Sequence, residues 1–245
     1  MNKISLTVLA IALVAFSCKK PPEEEPPTDN TTDLQDEFKM SVTSMWGTES
    51  FAYDTEYAVD GIPVKFQDLR LLLSEFHLFS DGTEEQIMEN SAALIDAGVE
   101  GEFTIRDLEL THIHDMECLL GLDSLTNHAD PTLAESPLND ATMHWGWAPE
   151  EGYKFIRIEG TRDLIGDGTF TPFAIHAATD ELKRELEFDV HQDVENDAIV
   201  ASLTIDFEQF FSGVDLSGDP LTGTHGNGSK ATAVIDNAVG AITID

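Results

Sequence analysis

The chain has 245 residues, of which 41% are hydrophobic, a proportion that is enough for a folded core and argues against global disorder. Its 13 lysines and arginines are outnumbered by 47 aspartates and glutamates, which gives a formal net charge of −34. Nucleic acids and anionic lipid headgroups are polyanions, so this charge argues against both as partners. Because the acidic residues are scattered along the chain, they are typical of a solvated acidic surface.

The first segment, "MNKISLTVLAIALVAFSCKK", has the features of an export signal. Lys3 precedes an apolar run that is too short to span a bilayer but has the length of a signal-peptide core. Ser17 and Cys18 follow this run and resemble the lipidation site of a bacterial lipoprotein. We therefore predict a signal peptide over residues 1–17, lipidation of Cys18, and a bacterial outer-membrane lipoprotein that faces the periplasm or the cell surface.

Residues 18–36 are predicted to form an acidic, proline-rich tether. The stretch "KKPPEEEPPTDNTTD" has no apolar face to bury, and its charges repel one another, so an extended conformation is expected. The folded domain is predicted over residues 37–245. Because lipidation would occupy Cys18, Cys118 has no cysteine to pair with, and we expect it to be a buried, inert thiol.

Hydrophobic residues alternate with period two in many short segments of this domain. Asp-Gly pairs separate several of them, as at Asp60-Gly61 and Asp81-Gly82. The pattern predicts an all-β fold, an antiparallel β-sandwich, with a long central loop between Asp123 and Trp147. The final segment "ATAVIDNAVGAITID" is expected to be strand, and "FEQFFSG" to be a short helix or turn. The segment "EFTIRDLELTHIHDMECLLGLD" is also placed among the strands, with a partly helical "TIRDLELTHIHDME" as the open alternative.

Motifs of catalysis are missing from the sequence. There is no Gly-x-Ser-x-Gly elbow, no glycine-rich phosphate loop and no His-Glu-x-x-His pair. The segments "DLIGDG" and "DLSGDP" contain only parts of a calcium-binding loop. The sequence therefore predicts a protein that is not an enzyme.

Two histidines in "THIHD" are spaced for a metal site. On a strand, His112 and His114 would share one face with their Cα atoms about 7 Å apart, close enough for two imidazoles to bind one ion. The same face would also carry Leu110, Met116 and Cys118, which are apolar. Two buried histidines bonded to the backbone are thus an equally valid interpretation, and the sequence leaves both open.

The central block "LLGLDSLTNHADPTLAESPLNDATMHWGWAPEEGYKFIRIEG" resembles the MbnP-like copper-binding family. The resemblance rests on a series of short motifs in the family's order: Gly121-Leu122-Asp123, Asn127-His128, Pro137-Leu138, Met143-His144-Trp145-Gly146-Trp147 and Gly152-Tyr153-Lys154-Phe155. Downstream, "FAIHAATD" is similar to the family's Phe-x-x-His strand. The similarity extends over nearly all of the chain after the tether.

The resemblance implies a copper-binding β-sandwich that acts in copper capture or storage. Its metal residues would be His144 and His176, then His112 and His114, with His128 in reserve; imidazole suits both Cu(I) and Cu(II). In some relatives a tryptophan beside the metal is oxidised to kynurenine by a partner di-haem enzyme of the cytochrome-c-peroxidase type. Trp145 and Trp147 are the candidates in this sequence.

A second class of function stays open at this stage. Trp145, Trp147 and Tyr153 are also the residues from which a glycan-binding or adhesion surface would build a stacking platform. The two hypotheses differ in exposure. Exposed indoles on a flat face would favour glycan binding, whereas indoles buried beside converging histidines would favour copper.

Overall fold

The structure is a computed structural model that describes residues 36–82, 84–146 and 152–244. Contacts divide the chain into two units, Met1–Leu34 and Gln35–Asp245, and both sheets of the fold belong to the second. The predicted signal peptide, Cys18 and Trp147 lie outside the described residues. Within the described part, no helix has both the length and the apolar character needed to cross a membrane.

Five strands form the smaller of two sheets: β1 (Asp36–Trp46), β2 (Glu49–Ser50), β6 (Gly101–Leu108), β11 (Ala198–Asp206) and β13 (Ile242–Ile244). The strand order runs β13-β11-β1-β2, and β6 also pairs with β1. β1 and β11 are parallel, in a register that runs from Glu37 opposite Ala198 to Met45 opposite Asp206. Parallel neighbours require a long crossover, so this pairing joins the two ends of the domain.

Eight strands form the larger sheet: β3 (Glu56–Val59), β4 (Ile62–Phe79), β5 (Glu85–Asp96), β7 (His112–Leu120), β8 (Lys154–Arg162), β9 (Thr171–Ala178), β10 (Arg184–Asp193) and β12 (His225–Gly226). The main order is β10-β7-β4-β8-β9-β12, with β3 and β5 paired to β4. All of these pairings are antiparallel except β9 with β12. The predicted all-β sandwich is confirmed, and the two parallel pairings are additional to the antiparallel prediction.

Aromatic side chains fill the space between the sheets. Phe66 of β4 is fully buried, and its ring centroid lies 5.2 Å from both Trp46 of β1 and Phe211. Phe38 of β1 packs against Phe76 of β4 at 6.1 Å. Burial of such a side chain stabilises the fold by about 1.5–3 kcal/mol. The aromatic core therefore holds the larger sheet as a rigid platform for the site on its far edge.

One local expectation from the sequence is wrong. Helix α2 spans Ser229–Ala241, where a strand was expected, and only β13 after it is extended. The buried residues of α2 recur at three- and four-residue spacing, the helical period: Ala231, Val234, Ile235, Ala238 and Ala241. The segment "TIRDLELTHIHDME" forms parts of β6 and β7, as the strand interpretation predicted, and the helical alternative is not adopted. The short 3-10 helix Gln209–Phe211 confirms the turn expected in "FEQFFSG".

The central loop begins with a short helix. Helix α1 spans Ser124–Asn127 and is capped by Asp123, whose carboxylate accepts hydrogen bonds from the backbone amides of Leu125 (2.8 Å) and Thr126 (3.2 Å). The loop then returns to the larger sheet through an isolated bridge between His144 and Tyr153. This bridge places Trp145 at the start of β8.

Candidate metal site

Strand pairing brings two histidines together at the β9–β12 edge of the larger sheet. His176 of β9 lies directly opposite His225 of β12 in a parallel register, although 49 residues separate them along the chain. Their ring centroids are 5.0 Å apart in an edge-to-face arrangement. The indole of Trp145 covers both rings, at 5.4 Å from His176 and 5.6 Å from His225. We call these three residues, together with Glu159, the paired-histidine site.

The two ring nitrogens of His176 have different surroundings. Its Nε2 lies 3.0 Å from Oε1 of Glu159 on the neighbouring strand β8, whereas its Nδ1 is buried and has no hydrogen-bond partner within the described structure. Because Nε2–H donates a hydrogen bond to the carboxylate, Nδ1 carries the lone pair. A buried imidazole nitrogen in this state is a candidate ligand atom for a metal.

Burial keeps His176 neutral. Burial, followed by the charges of His225 and Lys154, lowers the pKa of His176 to about 4, against the opposing effect of Glu159. A pKa this low leaves the ring unprotonated at neutral pH. Its Nδ1 lone pair is thus available to a metal without the removal of a proton.

Glu159 is itself held by Arg157. The guanidinium of Arg157 lies 2.9 Å from Oε1 of Glu159 and 2.8 Å from Oδ2 of Asp68 on β4. Burial raises the pKa of Glu159, but the hydrogen bonds and charges of Arg157 and His176 outweigh it, so the pKa is lowered. Glu159 therefore stays ionised and fixes the orientation of His176.

The loop that carries Trp145 is anchored to the start of β8. The backbone amide of Trp145 donates to the carbonyl of Gly152 (3.0 Å), and Nζ of Lys154 donates to the carbonyl of Thr142 (2.8 Å). The same ammonium lies 4.7 Å above the indole of Trp145. Burial, followed by the charge of Arg157, lowers the pKa of Lys154 to about 8.

Asn127 connects the start of β8 to the rest of the loop through hydrogen bonds. Its buried side chain accepts a hydrogen bond from the amide of Tyr153 (2.7 Å) and donates one to Asp180 (2.7 Å). Gly152 has a positive φ of 70°, and a Cβ at this position would collide with Asn127. Gly152 is thus required both by its backbone conformation and by the close approach of Asn127.

The metal residues predicted from the sequence do not lie together in the structure. His176 lies in the paired-histidine site, but the ring of His144 packs edge-on against Tyr153 at 4.9 Å. Because neighbouring residues of an extended segment face opposite sides, His144 and Trp145 point in opposite directions. Burial, with a contribution from Lys154, lowers the pKa of His144. His128 lies 3.3 Å from Asp180 at the base of the loop.

His112 and His114 lie on β7, three strand positions from β9 in the larger sheet. β7 pairs with Leu73–Phe79 of β4, whereas β8, the neighbour of β9, pairs with Val64–Leu71, so the two strands lie along different parts of β4. They are half-exposed, and carboxylates rather than backbone groups face their rings. A third imidazole, that of His191, joins them, and we call these residues the three-histidine cluster.

Two residues of these sites were missed in the sequence analysis, His225 and His191. His225 lies in the glycine-rich stretch "SGDPLTGTHGNGSK", whose composition is that of a loop. An imidazole within such a loop was the available signal. His191 lies in the segment "FDVHQD", and the local sequence gives no sign that it lies beside His112 and His114.

The exposure of the aromatic residues separates the two classes of function. Trp145 is 2% exposed and Tyr153 is 1% exposed. Neither offers the flat, solvent-facing ring that a glycan-stacking platform needs. Trp145 instead lies against two histidines, the arrangement expected for a metal site. The buried thiol of Cys118 is also as expected, because burial raises its pKa to about 12.

A β-sandwich with two imidazoles under a buried indole defines a class of candidate metal-binding proteins. The MbnP family model matches residues 35–226, and the chain belongs to this family. Among solved structures, MbnP from Methylosinus trichosporium is similar, with a TM-score of 0.55 and 13% identity over 80% of this chain and 86% of that one. At this identity the likeness shows a shared fold. No curated protein matches the chain.

Proposed function

We propose that this protein binds one copper ion at the paired-histidine site. The observation that carries the proposal is the buried Nδ1 of His176, which bears a lone pair and has no hydrogen-bond partner within the described residues. The imidazole of His225 lies beside it at a ring separation of 5.0 Å. Two imidazoles from adjacent strands form the minimum ligand set for an ion.

Copper suits this donor set better than a hard cation. Calcium and magnesium prefer oxygen ligands, whereas imidazole nitrogen suits copper, which leads the divalent affinity series. Membership of the MbnP family supports the same metal. We further propose that the protein captures or stores copper without turnover, and that Cys18 anchors it to the bacterial outer membrane.

Copper titration tests this function directly. Apo protein that carries His114→Gln would be titrated with Cu(I) against a chromophoric chelator. The substitution removes one imidazole of the three-histidine cluster, so that less copper binds there. We expect one copper per chain to be retained when the protein is separated from the chelator. Retention of no copper under these conditions would contradict the proposal.

We also propose Trp145 as the tryptophan that is modified to kynurenine. Its ring lies against both histidines of the site, so a metal held there would be its neighbour. An indole nitrogen has no available lone pair, but the aniline nitrogen of kynurenine has one and would add a third donor. The conversion requires an external oxidant, which we assign to a di-haem enzyme of the cytochrome-c-peroxidase type acting with peroxide. Two equivalents of peroxide cleave the C2–C3 bond of the indole to give N-formylkynurenine and two waters, and hydrolysis of the formyl group then releases formate and leaves kynurenine.

Mass spectrometry of the protein from its native source tests this modification. We expect a peptide that contains residue 145 to carry the mass of kynurenine in place of tryptophan. Protein produced without the oxidising partner is the control and should keep the tryptophan mass. A native peptide with unmodified Trp145 would refute the assignment and would leave the two-histidine copper proposal intact.

A further inference from the structure

We propose that the three-histidine cluster is a second metal site, which takes a borderline divalent cation such as Zn(II) at the solvent-exposed edge of the larger sheet. His112, His114 and His191 each offer a ring nitrogen, and these nitrogens lie within 4.8 Å of one another. Three imidazoles with no sulfur and no ligating oxygen form a donor set for zinc, copper or nickel rather than for calcium or magnesium.

A bulge in β10 places the third imidazole. The register between β10 and β7 shifts between Asp189 and Gln192, so that two residues of β10 have no direct partner on β7. His191 is one of these two residues, which lie opposite the single residue His114, and it has a positive φ of 46°. This conformation is uncommon for a residue with a side chain. The bulge turns His191 toward β7, where its ring lies 4.4 Å from that of His114.

Each imidazole of the cluster has its own carboxylate. Nδ1 of His112 lies 2.8 Å from Asp193, Nε2 of His114 lies 2.8 Å from Asp81, and Nε2 of His191 lies 2.6 Å from Asp189. Each carboxylate accepts a hydrogen bond from the N–H of that nitrogen, which leaves the lone pair on the other nitrogen of the ring.

The same pairing of imidazole with carboxylate orients histidine ligands in metal sites generally. The carboxylates also carry negative charge, which attracts a cation to this edge.

The geometry needs only a small adjustment to close on an ion. Two nitrogens bound tetrahedrally to one zinc ion are about 3.4 Å apart, given bonds of about 2.0–2.1 Å. The rings therefore have to approach by roughly an ångström, and their side chains are 26%, 36% and 57% exposed for His112, His114 and His191. Partly exposed rings can make this movement without disturbing the core. Three protein ligands leave a fourth position for water.

The cluster is independent of the paired-histidine site. β7 and β10 lie at one end of the strand order of the larger sheet, and β9 and β12 lie at the other. The second site thus stands whether or not copper binds to His176 and His225, and the two can be tested separately.

Zinc titration of the full chain tests the second site. We expect His176→Gln with His225→Gln to retain one equivalent of Zn(II) in competition with a chromophoric chelator. A chain that carries His114→Gln and His191→Gln in addition should no longer retain this equivalent of Zn(II). His77→Gln is the matched control, because His77 lies on the same sheet and faces Glu85 at 3.3 Å but is not part of the cluster. Retention of the equivalent after the cluster has been changed would overturn the proposal.

A second measurement does not depend on the stability of the variants. Paramagnetic Ni(II) added to the unmodified protein should broaden the ring-proton NMR signals of His112, His114 and His191 first. The signal of His77 should persist to a higher Ni(II) concentration. Broadening of all histidine signals in parallel would show non-specific binding and would reject the site.

Discussion

Replacing both His176 and His225 with glutamine, in a chain that also carries His114→Gln to disable the three-histidine cluster, should reduce bound copper from one ion per chain to none. Glutamine is close to histidine in size and polar, so the fold should tolerate it, but an amide nitrogen has no basic lone pair for the metal. The rings lie 5.0 Å apart, and no other imidazole of the described residues shares their contact with Trp145. Elemental analysis of copper per chain, after removal of loosely bound metal with a chelator, measures the effect.

His144→Ala is the decisive comparison for this experiment. The sequence predicts His144 and His176 as the leading pair, whereas the structure pairs His176 with His225 and directs His144 toward Tyr153. We therefore expect His144→Ala to keep its copper. Loss of copper in His144→Ala to the same extent as in the double variant would support the pair predicted from sequence.

Replacing Glu159 with glutamine should weaken copper binding by about 10–100-fold without changing the stoichiometry. Glu159 accepts the hydrogen bond from Nε2 of His176 at 3.0 Å, and this bond keeps the lone pair on Nδ1. A glutamine can still accept that bond, but it lacks the negative charge that raises the basicity of the ring. Loss of the Glu159 carboxylate also leaves Arg157 with one of its two carboxylate partners.

Competition titration against a chelator of known affinity measures this change. Glu185→Gln is the matched control, because it removes the same charge from an exposed position on β10, at the other end of the sheet. The control should bind copper as tightly as the unmodified protein. Equal affinities in the Glu159 and Glu185 variants would exclude the orienting role of Glu159.

The strands could be predicted from the sequence because their hydrophobic pattern is local. Alternation of apolar and polar residues marks one face of a strand wherever the strand pairs, so the period-two segments predicted the β-sandwich. The error at Ser229–Ala241 has the opposite cause. Its small and branched residues suit either a strand or a buried helix, and packing of α2 against the sheets decides between them.

The local sequence identified only some of the candidate metal residues. The motif around Trp145 and the strand that carries His176 could be recognised from the sequence, and so could the pair His112 and His114. His225 could not be placed, because its partner is set by the parallel pairing of β12 with β9. His191 joins its cluster through a bulge, and the alternation of side chains that a sequence argument assumes does not hold at a bulge.

Composition, periodicity and motif order were therefore sufficient, by themselves, to determine an acidic, all-β member of the MbnP family that is rich in candidate imidazole ligands. Tertiary structure alone decided which imidazoles meet. Residues 49 positions apart become neighbours through hydrogen bonding between strands, whereas adjacent residues such as His144 and Trp145 are turned to opposite sides by the backbone. A metal site depends on distances between side chains, and those distances are set by the long-range pairing of the strands.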